Sequence, residues 1–218
     1  LGASVAGTLI FPLRAPRWRI ILSPVAEKLP LGMLWRAIAI GMMGNNVLPA
    51  RAGELARAFA LSRETKRVPF SAAFASLAVD RIFDATIVLL LMAVATLDPT
   101  LPAGRTFGGY SIAKVIGSGA ALALVAILGL YLIVFFTEHA ILAWEWMARR
   151  IAPSFEERGR HTIVAFASGL AVLRDPMLFL STMAWGIAMW LMNALAFWLG
   201  FKAVGIEVSY SAALMLQG

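Results

Sequence analysis

Residues 112–136 read IAKVIGSGAALALVAILGLYLIVFF, and this stretch decides the fold class. It carries one charged side chain, Lys114, and it exceeds the ~20 apolar residues that a helix needs to cross the hydrocarbon core. In lipid, backbone groups must be satisfied internally, so spanning segments are helices or closed barrels. Barrel strands alternate apolar and polar residues over about ten positions, whereas this run is continuous. The stretch therefore predicts a transmembrane helix.

The composition of the whole chain points the same way. Hydrophobic residues make up 61% of it and charged residues 14%, with a mean hydropathy of +0.81. Soluble domains average about 45–50% apolar and about 25% charged residues. Two further apolar runs, residues 70–97 and 177–201, are also long enough to span. We predict an all-α fold, a polytopic transmembrane helical bundle, formed by one domain over residues 1–218 that is truncated at both ends.

The sequence contains no recognised motif for metal binding, nucleotide binding or redox chemistry. It has no cysteine, and its two histidines, His139 and His161, are far apart. Neither metal-ligand spacing nor a G-x-x-x-x-G-K-[ST] nucleotide loop is present. We therefore predict no cofactor, no metal site and no catalytic residue, and hence a protein that is not an enzyme. The formal charge of +7 is interpreted as topogenic and not as a nucleic-acid surface, because no basic stripe is interleaved with exposed aromatic residues.

The basic clusters predict the topology and a hairpin. A helix is expected to end near Leu13, and the basic stretches 14–28, 63–67 and 149–174 are expected on the cytoplasmic side. Only about 30 residues separate the first two stretches, whereas two crossings need about 20 residues each. Residues 31–62 are therefore predicted to form a re-entrant helical hairpin.

The predicted tip of this hairpin is NNVLPARAGE, residues 45–54. Pro49 removes a backbone donor and breaks the helix, and Gly53 permits unusual backbone angles. Irregular backbone at membrane depth is tolerated only in protein or against a water-filled cavity. The tip is therefore expected to line a cavity. Residues 137–175 are predicted to contain two interfacial helices, with Trp144 and Trp146 at the headgroup level.

Two clusters of ionisable residues lie at predicted membrane depth. Arg51, Glu54 and Arg57 are spaced by three and would share one helical face. Two cations around one carboxylate suit a phosphate, which arginine binds bidentately. The same three residues could instead form an internal ion-pair network that stabilises the hairpin, and the sequence leaves both interpretations open.

The second cluster is Asp80, Arg81 and Asp84, inside an apolar run. A charged residue at the centre of a spanning helix costs about 2.5–3.5 kcal/mol on insertion scales, so each needs a partner. Arg81 and Asp84 are three apart and can pair, which leaves Asp80 for Arg51 or Arg57. A functional site and a structural salt bridge between helices both fit this pattern.

The segments NNVLPARAGELARA (45–58) and SLAVDRIFD (76–84) resemble the lysylphosphatidylglycerol synthase/flippase transmembrane family. The shared pattern is an Asn-rich Pro-x-Arg-x-Gly-Glu segment followed by a helix with Arg-x-x-Asp. A second Pro/Gly-rich motif that is usual in the family is absent from this chain. The resemblance implies a flippase or scramblase-like transporter, which moves a phospholipid or modified lipid between leaflets through a polar intramembrane cavity.

These arguments define the site and its partners. The predicted substrate-binding residues are Asn45, Asn46, Arg51, Glu54, Arg57, Asp80, Arg81 and Asp84, with Pro49 and Gly53 structural at the tip. The predicted partners are membrane lipids with anionic phosphate headgroups, together with a homo-oligomeric copy or a lipid-synthesising protein. The predicted location is the bacterial cytoplasmic (inner) membrane. Two alternatives stay open: a membrane-embedded lipid-linked transferase, with Asp80 or Glu54 as its base, and a non-catalytic scaffold for a lipid-synthesising complex.

Overall fold

The computed structural model describes residues 1–47, 49, 52–98, 106–107, 110–151 and 156–217, which are almost entirely helical. This confirms the predicted all-α class. The helices are α1 (Gly2–Leu22), α2 (Leu31–Val47), α3 (Gly53–Glu64), α4 (Phe70–Ala95), α5 (Ile112–Phe135), α6 (Thr137–Ile151), α7 (Glu156–Gly169), α8 (Pro176–Ala203) and α9 (Tyr210–Met215). A 3₁₀ turn covers Ala171–Arg174, and two-residue strands, β1 (Thr106–Phe107) and β2 (Tyr110–Ser111), pair antiparallel.

The three predicted spans coincide with α4, α5 and α8. Among the described residues, α8 is the helix whose length and apolar composition suffice to cross a membrane, and α5 contains a shorter apolar stretch, Ile116–Gly129. α4 stays helical through its charged residues. The apolar runs therefore located these helices to within about two residues of each end, which is the usual uncertainty of helix boundaries.

α2 and α3 pack against each other as the two arms of a hairpin. A Cβ atom added at Gly53 would lie 2.0 Å from the carbonyl oxygen of Gly41, and one added at Gly44 would lie 2.8 Å from Cα of Gly53. The arms approach this closely because glycine occupies these positions. α3 has only 12 residues, fewer than the roughly 17 that a crossing requires. Re-entry of the hairpin into a bilayer stays a prediction.

The chain folds into two compact units. Unit 1 comprises Leu1–Leu13, Ile82–Ile127 and Met183–Gly218, and unit 2 comprises Arg14–Arg81 and Leu128–Thr182. The core of unit 1 joins α4, α8 and α9 through Ile87, Leu91, Ala95, Ala194 and Leu214. In unit 2, fully buried side chains come from the first four helices and from the segment around the 3₁₀ turn; they include Trp18, Ile21, Leu34, Ile38, Leu61, Val79 and Leu170. The single-domain organisation stays a prediction.

The predicted interfacial region forms two helices, α6 and α7, within unit 2. Trp144 fills the space left by the missing side chain of Gly159, where a Cβ atom would lie 2.0 Å from the indole ring. Its Nε1 also donates to the Glu156 carbonyl oxygen at 3.2 Å. Trp144 is therefore a packing residue. Trp146 is exposed, and its ring centroid lies 4.3 Å from Cζ of Arg150; a position at the headgroup level stays a prediction.

Candidate functional site

A buried ion-pair network occupies the middle of unit 2, where α1, α3 and α4 meet. The Asp80 carboxylate contacts two guanidinium groups: its Oδ1 lies 3.4 Å from Nη2 of Arg17, and its Oδ2 lies 3.5 Å from Nη1 of Arg57. Arg17 Nη2 also donates to the Asp80 backbone oxygen at 3.4 Å. These residues are only 2%, 5% and 7% exposed for Arg17, Arg57 and Asp80. Charges buried this deeply are retained only when they are paired.

The Arg57 guanidinium is held from one side by an aromatic ring. Its Cζ lies 3.8 Å from the centroid of the Trp18 indole, within cation–π range. Trp18 is fully buried, and its Nε1 donates to Ser76 Oγ at 3.0 Å, which in turn donates to the Ala73 carbonyl oxygen. The indole cannot rotate without breaking this chain of hydrogen bonds, so the position of the guanidinium is fixed.

A second ion pair lies at the edge of the network. Arg81 Nε is 2.9 Å from Glu54 Oε1, and the two side chains are partly exposed. Glu54 and Arg57 are three residues apart in α3, and Asp80 and Arg81 are adjacent in α4. The helical repeat therefore brings α3 and α4 together through two pairs of opposite charge.

The network carries more positive than negative charge. Arg14 of α1 is near enough for its charge to act on both Arg57 and Asp80. Four arginines and two carboxylates leave an excess of two positive charges; we call these six residues the charged cluster: Arg14, Arg17, Glu54, Arg57, Asp80 and Arg81. Four positive side chains this close together repel one another unless negative charge is supplied.

Several donors of this cluster are unsatisfied. Nε and Nη2 of Arg57 and Nε of Arg14 are buried, and no hydrogen-bond acceptor reaches them among the described residues. A buried donor without an acceptor costs about 1–3 kcal/mol. Arginine donors are arranged as a planar fork that matches carboxylate and phosphate oxygens. The cluster is therefore suited to an oxyanion. Within the part of the chain that the structure describes, no group of three side chains could hold a metal ion.

Four of the eight predicted substrate residues meet here: Glu54, Arg57, Asp80 and Arg81. Arg57 supplies the cation that the sequence required for Asp80, at the 3.5 Å separation given above. Arg51, the other candidate, lies outside the described residues. Asn45 and Asn46 are exposed at the end of α2. Gly53 begins α3 with a φ that is not positive, so its contact with Gly41 is one of close packing. Pro49 is exposed and accepts a hydrogen bond from Ala52. The structural roles of both residues at the tip stay predictions.

Asp84, another predicted residue, belongs to unit 1. Its Oδ1 accepts a hydrogen bond from Trp190 Nε1 at 3.1 Å. Trp190 packs against the apolar core of unit 1 and also donates this hydrogen bond to the carboxylate. One turn along α8, Asn193 Nδ2 donates to Gln217 Oε1 at 2.9 Å. The substrate roles of all eight residues stay predictions.

Three residues of the charged-cluster region were missed by sequence reasoning: Arg14, Arg17 and Trp18. The expectation that a helix ends near Leu13 is wrong, because α1 continues to Leu22. Arg17 is therefore a buried helical residue and not part of a solvated basic loop. The available signal was the spacing, since positions 14, 17 and 18 share one helical face, but the density of positive charge favoured a loop.

Comparison with known proteins identifies relatives of the chain. The family described as "Lysylphosphatidylglycerol synthase TM region" matches residues 1–218, which confirms the resemblance found in the motifs. Glycosyltransferase AglD of Haloferax volcanii is 37% identical over 119 residues, which are 54% of this chain and 18% of AglD. A UPF0104 membrane protein of Methanothermobacter thermautotrophicus is 37% identical over 81 residues, which are 37% of this chain and 23% of that protein. No solved structure matches.

The comparison corrects one prediction. The sequence reasoning classed the protein as not an enzyme, and similarity to a protein named as a glycosyltransferase contradicts this. The prediction rested on missing motifs within this chain, yet the matched segment spans less than a quarter of either curated relative. Both relatives come from archaea, so a bacterial membrane remains only a proposal.

Proposed function

The chain belongs to the lysylphosphatidylglycerol synthase transmembrane region family of integral membrane proteins, and we propose that it binds an anionic lipid headgroup within the membrane and transfers it between leaflets. The observation that carries this proposal is the charged cluster, with its two excess positive charges and its unsatisfied Arg57 donors. A lipid phosphate would supply both the negative charge and the acceptors.

The chemistry of translocation explains why such a cluster is useful. A phosphate that leaves the headgroup layer loses its hydration, and an unpaired charge in a low-dielectric interior is very costly. Donors that are fixed in advance replace water without further ordering. Arg57 meets this requirement, because Trp18 stacks on its guanidinium and Asp80 contacts its Nη1. Its Nε and Nη2 are then the donors that a phosphate would use.

A purely structural network is the main competitor. In that case the cations and carboxylates would balance, and every buried donor would have an acceptor, because buried polar groups are normally satisfied. The charged cluster departs from the second expectation, because the buried donors of Arg57 and Arg14 have no acceptor among the described residues. We extend the proposed site to the hairpin tip, where Arg51, Asn45 and Asn46 follow the family pattern, and we place the protein in the cytoplasmic membrane of its source cell.

Translocation in liposomes tests the proposal. Arg57→Lys keeps the charge but loses the planar fork, so we expect lipid transfer to fall by about 10- to 100-fold, the equivalent of one charge-assisted hydrogen bond of roughly 1.5–3 kcal/mol. The measurement is the rate at which a fluorescent anionic phospholipid becomes accessible to a membrane-impermeant quencher. Arg36→Lys is the matched control, because Arg36 pairs with Glu64 in the same hairpin but is exposed.

Unchanged transfer by a folded Arg57→Lys protein would refute the headgroup role. If that variant fails to fold, Arg14→Gln provides the second test, since Arg14 is only partly buried and makes no contact with Asp80 comparable to that of Arg57. A normal rate in Arg14→Gln with native thermal stability would then count against the proposal.

A second function is favoured by one observation, the similarity to the protein named glycosyltransferase AglD. In this version, the same cluster holds the phosphate of a lipid-linked sugar while a transferase acts on it. Mixing the full-length protein with a labelled sugar donor and a polyprenyl phosphate separates the two ideas. Sugar transfer that is lost in Arg57→Lys, with no leaflet transfer by the wild type, would favour the transferase.

A further inference from the structure

A cavity separate from the charged cluster opens where α3 passes into α4. Its volume is about 600 Å³, and it is lined by Phe59, Ser62, Arg63, Lys66, Val68, Pro69 and Phe70. Pockets that bind small ligands usually measure about 300–1,000 Å³. The lining combines two cationic side chains with two aromatic rings.

The two cations of the cavity are not neutralised. Arg63 and Lys66 are exposed, and in the described part of the chain neither pairs with a carboxylate. The neighbouring acid, Glu64, is engaged by Arg36. Arg67, the next cation, donates to the Glu27 backbone oxygen at 3.4 Å. The cavity therefore presents two positive charges to whatever enters it.

The aromatic side of the cavity is exposed. Phe59 is 51% accessible and Phe70 is 43% accessible, and the Phe70 ring stacks on Phe74 at 6.1 Å between centroids. The Arg63 guanidinium lies 5.0 Å from the centroid of Phe59. Apolar rings beside cations suit a ligand that has an anionic end and a hydrocarbon end.

We propose that this cavity binds the phosphodiester group of an anionic phospholipid at the membrane surface, with Arg63 and Lys66 on the phosphate and the phenylalanine rings against the glycerol and upper acyl chains. It is a lipid site distinct from the charged cluster. It requires that the chain lie in a bilayer, as its family implies, and does not depend on transfer between leaflets.

Native mass spectrometry of the full chain in a zwitterionic detergent tests the site. The protein is titrated with phosphatidylglycerol or phosphatidylcholine, and bound lipids are counted. We expect a preference for phosphatidylglycerol that falls by about tenfold or more in Arg63→Gln/Lys66→Gln, because each basic residue near an anionic lipid contributes roughly a factor of five. The matched control is Arg19→Gln/Lys28→Gln, which removes two exposed charges from outside the cavity and should retain the preference.

Three outcomes would overturn the proposal. One is an equal loss in the control, which would indicate general surface charge. Another is displacement of the bound lipid by millimolar inorganic phosphate, which would indicate a free anion as the ligand. The third is no preference in the wild type. The translocation assay varies Arg57, whereas this binding assay varies Arg63 and Lys66, so failure here and failure of the proposed function are distinguishable.

Discussion

The two units hold carboxylates from the same helix in different ways. In unit 2, Asp80 lies between the guanidinium groups of Arg17 and Arg57. In unit 1, Asp84 accepts a hydrogen bond from the neutral indole of Trp190. A guanidinium contact supplies full positive charge to a carboxylate, whereas the Trp190 contact supplies a hydrogen bond from a neutral donor. Unit 2 thus concentrates positive charge around Asp80. The loss of stability on neutralising Asp80 should therefore differ from the loss on neutralising Asp84.

The largest expected effect comes from Asp80→Asn. This change leaves Arg17 and Arg57 buried without the negative charge that they share, and breaking a buried pair in this way costs about 3–5 kcal/mol. Unfolding of the purified protein by denaturant in mild detergent measures the loss. Glu27→Gln, at an exposed carboxylate, should change stability by no more than about 0.5 kcal/mol. A comparably small loss for Asp80→Asn would mean that water already reaches the cluster.

Gly53→Ala should be next in size. The added methyl group would meet the Gly41 carbonyl oxygen and the backbone nitrogen of Asn45, and overpacking of this kind costs typically 1–3 kcal/mol. Since a Cβ at Gly41 would also lie 2.8 Å from Cβ of Arg57, the same contact sets the position of this cation. The control is Gly32→Ala, whose nearest neighbour would be 3.8 Å away. Equal thermal stability of the two variants would contradict the close packing.

A smaller loss, about 1 kcal/mol, is expected for Asp84→Asn. The asparagine oxygen can still accept from Trp190, so this contact loses the extra strength of a hydrogen bond to a charged group. The denaturant series used for Asp80→Asn measures it. If Asp80→Asn and Asp84→Asn destabilise the protein equally, the idea that the two carboxylates are stabilised differently is wrong.

The smallest effect is expected at the edge of the charged cluster. A double-mutant cycle on Glu54→Gln and Arg81→Gln should give a coupling energy below about 1 kcal/mol, because partly exposed ion pairs contribute little, and it should shrink as salt is added. The Arg36–Glu64 pair, which is also partly exposed, provides a comparison cycle. A coupling of several kcal/mol would place Glu54 and Arg81 in the same environment as Asp80.

Much of the fold was predictable from the sequence, because each apolar run is much longer than the uncertainty in where its helix begins and ends. The runs predicted α4, α5 and α8, and the short distance between two basic stretches predicted an arm as brief as α3. Charge accounting predicted that Asp80 needs a cation from the hairpin. These arguments use only length, hydropathy and helical spacing.

The remaining parts of the site depend on contacts between distant segments. Arg17 and Trp18 lie about 60 residues from Asp80 and Ser76, and Trp190 lies 106 residues from Asp84. Nothing local distinguishes Arg17 from its exposed neighbour Arg19, because burial is decided by the helix that packs opposite. Residue type alone therefore assigned both to the same basic stretch.

The glycine contacts between α2 and α3 also limit how the hairpin can move. One arm cannot slide along the other, since Gly53 is already pressed against the Gly41 carbonyl. If the hairpin tilts, we therefore expect the two arms to tilt together about the segments at residues 29–30 and 65–69. With α2 at 17 residues and ~1.5 Å of rise per residue, its end at Val47 is about 25 Å from its start at Leu31. A tilt of a few degrees there would displace that end by an ångström or more.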